Sequence, residues 1–170
     1  MACQNIQGII KGCDNSLGGI NAVWLLDQDS ITGTTVDVTA HTVTTIGTNG
    51  DLFQGFEFKR NVGNFVGTPT IDLINGSTFY SYTLTLVFHK REATKSYALQ
   101  LLGEGQRYLN AIVRDNLGKF WYLTDLQLNG GDETTGTLKS DLNGYNVTFL
   151  GEIINRAYEI DPAIVPALIA

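Results

Sequence analysis

The side chains that most often act as acids, bases or metal ligands are few in this sequence. Its two histidines, His41 and His89, lie in stretches with a strand-like pattern and have no catalytic partner beside them. Its two cysteines, Cys3 and Cys13, lack the spacing of a zinc site; a bridge between them and two buried thiols both stay open. Phosphate loops, nucleophile elbows and zinc-protease motifs are missing, so we expect no enzyme, no cofactor and no metal ion.

Two acidic clusters come closest to a cation site. The run Asp27-Gln28-Asp29 begins as a calcium loop does, but the glycine follows only at Gly33 and no glutamate closes the loop. The pair Asp132-Glu133 follows two glycines, and both clusters are more typical of solvated turns. Two carboxylates brought together by the fold would suit glycoside hydrolysis, and spacing in the sequence does not decide this third hypothesis of a small hydrolase.

Three aromatic residues, Trp24, Trp121 and Tyr122, offer a different chemistry, because flat rings can form a platform for a carbohydrate. Aromatic residues in strands more often belong to the core. A carbohydrate- or receptor-binding β-sandwich is therefore the main alternative to the assembly function described below. It predicts that Trp24 or Trp121 is exposed.

Strands must position most of these side chains, since apolar residues alternate along much of the chain. The clearest strand covers residues 78–89, where alternate residues from Tyr80 to Phe88 share one face. Its dozen or so residues exceed the usual five or six, which suggests a large sheet or a projecting hairpin. Asn75-Gly76 just before it predicts a tight turn. Further strands are predicted over 20–26, 36–46, 52–58, 65–74 (where Pro69 suggests a sheet edge or a strand start), 108–114, 119–124, 134–139 and 145–151.

One segment follows the period of a helix instead. Ala93, Tyr97 and Leu101 recur at four-residue steps and predict a flanking helix over about residues 92–103. Gly130-Gly131 predicts a break, and about 156–170 an irregular apolar tail. Many strands, one helix and no strand–helix alternation predict one mainly β domain over residues 1–170, an antiparallel β-sandwich or barrel.

Low charge is the most unusual property of the composition. The 170 residues are 43% hydrophobic but only 16% charged, and the net charge is -6. The apolar content excludes disorder, and the acidic balance without a basic cluster excludes tight nucleic-acid binding. No stretch approaches the roughly 18 apolar residues of a membrane span, and the first residues lack a signal-peptide pattern. Because interface centres are depleted in charge, we expect the chain to bury surface against copies of itself.

Candidate assembly surfaces are the long strand 78–89, the hairpin 108–124 and the apolar residues 163–170. Exposed strand edges favour aggregation unless they pair, and a closed ring pairs them between subunits. The apolar tail is expected to dock on its own body or on a neighbouring subunit. The residues predicted to form these surfaces are Tyr80, Tyr82, Leu84, Trp121, Tyr122, Ile164, Val165, Leu168 and Ile169.

Three segments, about half of the chain, share a pattern with a known family. The first contains Met1-Ala2-Cys3, Gly8 to Asp14 (sequence GIIKGCD) and Gly18-Gly19-Ile20. The second is the helix 92–103 followed by Asp115 to Tyr122 (DNLGKFWY), and the third runs from Thr135-Gly136-Thr137 through Ser140 to Phe149 (SDLNGYNVTF) to Gly151-Glu152. With these patterns the chain resembles the small structural proteins that build the tail tube or the head-to-tail connecting rings of tailed phages infecting Bacteroidetes.

The resemblance implies a tail-tube-like β-sandwich or barrel with a flanking helix, assembled as a homo-oligomer in six-fold rings whose inner strands line a channel. It implies a place in the virion, at the tail or the head–tail joint, after synthesis in the host bacterial cytoplasm. Other tail or connector proteins would be its partners, and DNA would pass through without specific binding. An acidic lumen repels DNA, which agrees with the net charge of -6. Under the alternative, the module belongs to a phage fibre or a cell surface.

Overall fold

Residues 6–170, which the computed structural model describes, form ten strands and one α-helix. The predicted mainly β fold with a single helix is thereby confirmed. The strands are β1 (Ile20–Asp27), β2 (Ile31–Asp37), β3 (Thr42–Thr48), β4 (Gln54–Phe56), β5 (Asn64–Asp72), β6 (Ser77–His89), β7 (Leu109–Asp115), β8 (Phe120–Thr134), β9 (Gly144–Ile153) and β10 (Tyr158–Ile160), and the helix is α1 (Ala93–Gly103). Short 3-10 turns occur at Gln28–Ser30, Glu104–Gln106 and Val165–Ala167.

Strand β8 belongs to two sheets. Its first half pairs with β7 and β10 in sheet I, which has the order β2-β3-β10-β8-β7-β1-β4. From Leu126 onward it pairs with β9 in sheet II, which has the order β8-β9-β6-β5. Between the halves, Thr124 and Asp125 together stand opposite the single residue Asn110, and Asp125 has a φ of 56°. Such a bulge bends a strand, so it lets β8 pass from one sheet to the other.

Sheets I and II pack face to face. On the inner face of sheet II, Leu84, Leu86 and Phe149 have no exposed surface. They belong to one apolar cluster with residues of β1, β7 and β8 such as Val113 and Leu123. The apolar face that the alternation predicts for residues 78–89 therefore lies in the core between the two sheets.

The other face of sheet I is covered by the chain's own C-terminal segment. Val165 and Leu168 are buried in a second cluster together with Val43 and Phe53. The Phe53 N–H donates to the Leu168 carbonyl over 2.8 Å, and the Ala170 N–H donates to the Phe53 carbonyl over 3.0 Å. Of the two docking sites expected for the apolar tail, the structure thus shows its own body.

Two strand predictions are wrong because side chains or glycines alter the local path. The strand expected over 36–46 is two strands, since the Asp37 carboxylate accepts the N–H groups of Thr39 and Ala40 and holds a turn. Gly130-Gly131 lies inside β8 rather than at a break. A Cβ on Gly131 would lie 2.6 Å from the Asn146 carbonyl oxygen, so this glycine allows β9 to approach.

Further differences concern segment lengths and direction. The expected strand 134–139 lies mostly in the β8–β9 loop, where the Asp141 carboxylate accepts the N–H groups of Thr137 and Leu138. The expected strand 52–58 shrinks to β4, and the tail 156–170 contains β10 and a 3-10 turn. β10 pairs in parallel with β3, so the strand pairing is mixed and not purely antiparallel.

Two other expectations concern the cysteines and a membrane span. A bridge from Cys3 to Cys13 involves Cys3, which lies outside the described residues; Cys13 is exposed. Within residues 6–170, no helix is both long and apolar enough to cross a membrane.

Candidate assembly surfaces

The nine residues predicted as assembly surfaces do not form one surface. Five of them are buried in the two apolar clusters: Tyr82, Leu84, Tyr122, Val165 and Leu168. Burial also raises the pKa of the Tyr122 hydroxyl above its ordinary value. The other four are partly buried and pack against the same clusters: Tyr80, Trp121, Ile164 and Ile169. These side chains stabilise the subunit, and a contact of the partly buried four with another subunit stays a prediction.

The outer face of sheet II is a different surface. On it β6 presents the residues that alternate with its core positions, such as Thr83 and Thr85, beside Val66 of β5 and Thr148 and Leu150 of β9. These side chains are partly or fully exposed. None of them belongs to either apolar cluster of the described residues. One face of this four-stranded layer is therefore uncovered in the subunit.

The charge on sheet II has one sign. Although the chain contains 11 lysines and arginines, none occurs in β5, in β6, in β9 or in β8 beyond Leu126. By the register of the strands, Asp72, Asp132 and Glu152 lie on the outer face. Hydrogen bonds from the backbone N–H and then the side chain of Asn75, followed by the Ile74 N–H, lower the pKa of Asp72. The uncovered face is thus acidic and free of positive charge.

Sheet II also has two unpaired edges. Strand β5 pairs only with β6, and β8 beyond Leu126 has no partner on the side away from β9 among residues 6–170. The nine-residue register of β5 has no irregularity, and its only edge-protecting residue is Pro69. Sheet I ends differently, because β4 has three residues and β2 contains two irregularities. Short or bulged strands resist edge pairing, so sheet II has the edge more open to it.

The β5–β6 hairpin extends past its neighbour. Pairing between β6 and β9 begins at Tyr80 opposite Ile153, so the tip lies beyond β9. There Asp72 accepts the N–H groups of Ile74 and Asn75 over 2.9 and 3.1 Å, and this closes the turn. The tip presents Leu73 and Ile74 at 90% and 95% exposure. The tip therefore holds two adjacent aliphatic side chains in water on an ordered turn.

Helix α1 lies at the margin of the sandwich. None of its residues is fully buried, but Leu99 and Leu102 pack against the core between the sheets. Glu92 directly precedes the helix and forms ion pairs with Lys90 and Lys95 at 2.6 and 3.2 Å. These charged groups are exposed enough that the pairs contribute little to stability.

The residues considered for chemistry are separated in space. The His41 ring stacks on Tyr158 with 4.2 Å between centroids, and His89 is exposed at the end of β6. Asp27 accepts a hydrogen bond from the Asp29 N–H and pairs with Arg107, and Glu133 pairs with Arg91. Among residues 6–170, no three histidine, cysteine or acidic side chains are grouped closely enough to hold a metal ion.

Of the three aromatic residues of the carbohydrate-binding alternative, Tyr122 is buried, and Trp24 and Trp121 are partly buried. Trp24 lies 6.2 Å from Phe120 between ring centroids, and the Trp121 indole N–H donates to the Asp115 carboxylate over 3.0 Å. Phe65 of β5 packs beside Trp121 at 6.4 Å. Both indoles are therefore engaged in packing within the subunit.

Sequence reasoning missed the uncovered face, the hairpin tip and the exposed aliphatic residues before β1. A signal for the face was present, because residues 61–89 contain no lysine or arginine over 29 consecutive positions. That run coincides with the two strands that carry the open edge and most of the face. The tip gave the weaker signal of two aliphatic residues directly before a turn.

Comparisons with protein-family models, with curated proteins and with solved structures found no match to this chain. The resemblance to tail-tube and connector proteins therefore stays a prediction. What the chain's own geometry defines is a mainly β sandwich with one covered and one uncovered outer face.

Proposed function

We propose that the chain is a non-enzymatic phage virion protein whose copies close into rings that form part of a DNA conduit, in the tail tube or the head–tail connector. The observation that carries the proposal is the outer face of sheet II. It is uncovered, it has acidic residues without any lysine or arginine, and it lies between two unpaired strand edges.

Ring closure follows from the edges. If β5 of one subunit pairs with the second half of β8 in the next, sheet II continues from subunit to subunit, and repetition of the contact closes a barrel. With the six subunits implied by the resemblance, four strands each give about 24 strands. At about 4.8 Å per strand and no tilt, the barrel is about 37 Å across between backbones, and tilt widens it. A DNA duplex fits through such a channel.

The lining explains why passing DNA would not bind. In the closed barrel the uncovered face of sheet II turns to the channel and presents Asp72, Asp132 and Glu152 from every subunit. Binding to duplex DNA depends on lysine and arginine neutralising phosphates, and this face has none. The other side chains of this face include Thr83, Thr148 and Leu150, which add no charge.

The hairpin tip supplies a contact between successive rings. Leu73 and Ile74 extend beyond β9, so in a ring they stand at the rim of the barrel. Burial of two aliphatic side chains against the next ring stabilises stacking by about 1.5–3 kcal/mol for each side chain.

Electron microscopy and sedimentation of the purified chain test ring formation. Val66→Lys puts a charge on the exposed edge strand β5, and we expect monomers where the unaltered chain forms rings. Val38→Lys is the matched control, because Val38 is also exposed (64% against 51%) but lies in the β2–β3 turn. Rings are expected to persist in the control. The proposal would be overturned if the unaltered chain stays monomeric in solution and electron microscopy of the virion shows no rings of it.

A further inference from the structure

One row of residues across sheet II carries opposite charges at its two ends. Val87 of β6 pairs with Asn146 of β9, and Asn146 pairs with Asp132 of β8. On the other side of β6, the Lys59 N–H donates to the Val87 carbonyl over 3.4 Å. Lys59 precedes β5 and occupies the same edge of the sheet. The row therefore begins with a positive charge at one open edge and ends with a negative charge at the other.

Both charged side chains lie toward the outer face of sheet II. The register places Asp132 on that face. Phe56 and Phe58 pack against the core between the sheets. Lys59 follows Phe58 and is exposed, so it lies on the side away from the core, at the margin of the outer face. Within residues 6–170, neither Lys59 nor Asp132 forms an ion pair, and both charges are available to another molecule.

Ring symmetry brings the two ends of the row together. All neighbouring strands of sheet II are antiparallel, so β5 runs opposite to β8 as well as to β6. Rotation about a ring axis keeps strand direction, and β5 of one subunit therefore meets β8 of the next in the antiparallel sense. If the sheet continues without stagger, each row joins the same row of the next subunit. Lys59 then stands beside Asp132 of the next copy.

The same register suits Pro69, which has no N–H to give to a neighbouring strand. Pro69 pairs with Tyr80, and Tyr80 pairs with Ile153. Ile153 lies two residues beyond Gly151, where the pairing of β9 with β8 begins at Leu126. In an unstaggered contact Pro69 therefore faces the point at which β8 passes to sheet I. The missing N–H costs no hydrogen bond there.

We propose that Lys59 of one subunit forms an ion pair with Asp132 of a second copy of this chain, and that this pair sets the register in which sheet II continues around the ring. The inference rests on the ring assembly proposed above and names the contact that selects one stagger. A slip by two residues would keep the faces of the strands in place but part the charges by about 7 Å. The pair neutralises Asp132 and leaves Asp72 and Glu152 as acidic groups of the channel.

Charge reversal in the full-length chain tests the pair. Lys59→Glu and Asp132→Lys each place like charges at every contact between subunits. Each variant alone should therefore need about tenfold more protein to form rings than the unaltered chain. An equimolar mixture of the two variants has opposite charges at every contact when the subunits alternate, which a ring of six permits. We expect the mixture to form rings at the concentration of the unaltered chain, as measured by sedimentation and electron microscopy.

Lys139→Glu is the matched control for the reversal. Lys139 is also exposed and forms no ion pair among the described residues, but it lies in the β8–β9 loop, outside the row. This variant should assemble as the unaltered chain does and should not rescue Asp132→Lys in a mixture. Because an exposed pair is screened, about 1 M salt should reduce the defect of each single reversal. Circular dichroism should show the same fold in all variants.

Each outcome decides between the two proposals. Single reversals that assemble like the control, or a mixture that does not restore rings, would overturn the ion pair and leave ring assembly standing. A mixture whose subunits associate in pairs without closing rings would retain the ion pair and count against the conduit. If the unaltered chain and the mixture both stay monomeric, the ion pair is overturned, and electron microscopy of the virion decides the conduit.

Discussion

Sheets I and II are built from the same chain and share β8, yet they differ in what covers them. The central strands of sheet I are covered on both faces, by sheet II on one side and by the C-terminal segment on the other. Sheet II is covered on its inner face only, and its outer face carries acidic and hydroxyl-bearing residues. The difference is that the subunit covers the central strands of sheet I by itself and leaves one face of sheet II uncovered.

The strongest test of this difference places a lysine on each outer face. Val43 in sheet I has no exposed surface, so Val43→Lys buries an uncompensated charge and should cost about 3–5 kcal/mol of folding stability. Thr83→Lys on the outer face of sheet II should change stability by less than about 0.5 kcal/mol. Denaturant unfolding followed by circular dichroism measures both variants. Equal losses would show that the two faces are equally buried and would remove the contrast.

A smaller effect is expected from the segment that covers sheet I. Leu168→Ala removes a side chain that is 8% exposed in the second core and should cost about 2–3 kcal/mol. Ile154→Ala is the matched control, since Ile154 is 79% exposed, and it should cost about 0.5 kcal/mol or less. Thermal and denaturant unfolding measure the difference. If Leu168→Ala is as mild as the control, the tail does not stabilise sheet I.

The smallest effect is a local pH response at the tip of sheet II. The pKa of Asp72 is below its ordinary value of 3.8, because the Asn75 and Ile74 N–H groups stabilise the carboxylate. A lowered pKa stabilises the turn at pH values above the unfolded pKa, and that stabilisation is lost as the pH falls through the folded pKa. We therefore expect the amide resonances of Ile74 and Asn75 to shift in NMR spectra with a midpoint below pH 3.8. In Asp72→Asn this transition should vanish, and a midpoint at the ordinary value would contradict the hydrogen-bonded turn.

Local patterns in the sequence predicted much of the fold. The alternation in residues 78–89 correctly predicted β6 and its core face, and Asn75-Gly76 correctly predicted the turn before it. Both succeeded because strand period and turn chemistry depend on a few neighbouring residues. The helix was found within one residue of its observed start for the same reason. The expected strand over 36–46 failed where a single carboxylate, that of Asp37, outweighs β-branched alternation.

The sequence did not determine which of the predicted surface residues are exposed, because exposure is a property of packing. Leu84 and Leu168 look equally available for assembly in the sequence, but one lies between two sheets and the other lies against Phe53. The run without lysine or arginine from 61 to 89 could have indicated the uncovered face. Only the register shows which of its residues point outward.

The sequence by itself determined the class of the fold, its single helix, its low charge and its acidic excess, since these depend on composition and short-range periodicity. Tertiary structure alone decided that β8 is shared by two sheets, through the bulge at Asp125. It also decided that the C-terminal segment packs on one face of sheet I while the outer face of sheet II stays uncovered. These features depend on contacts between residues far apart in the chain, which local patterns do not encode.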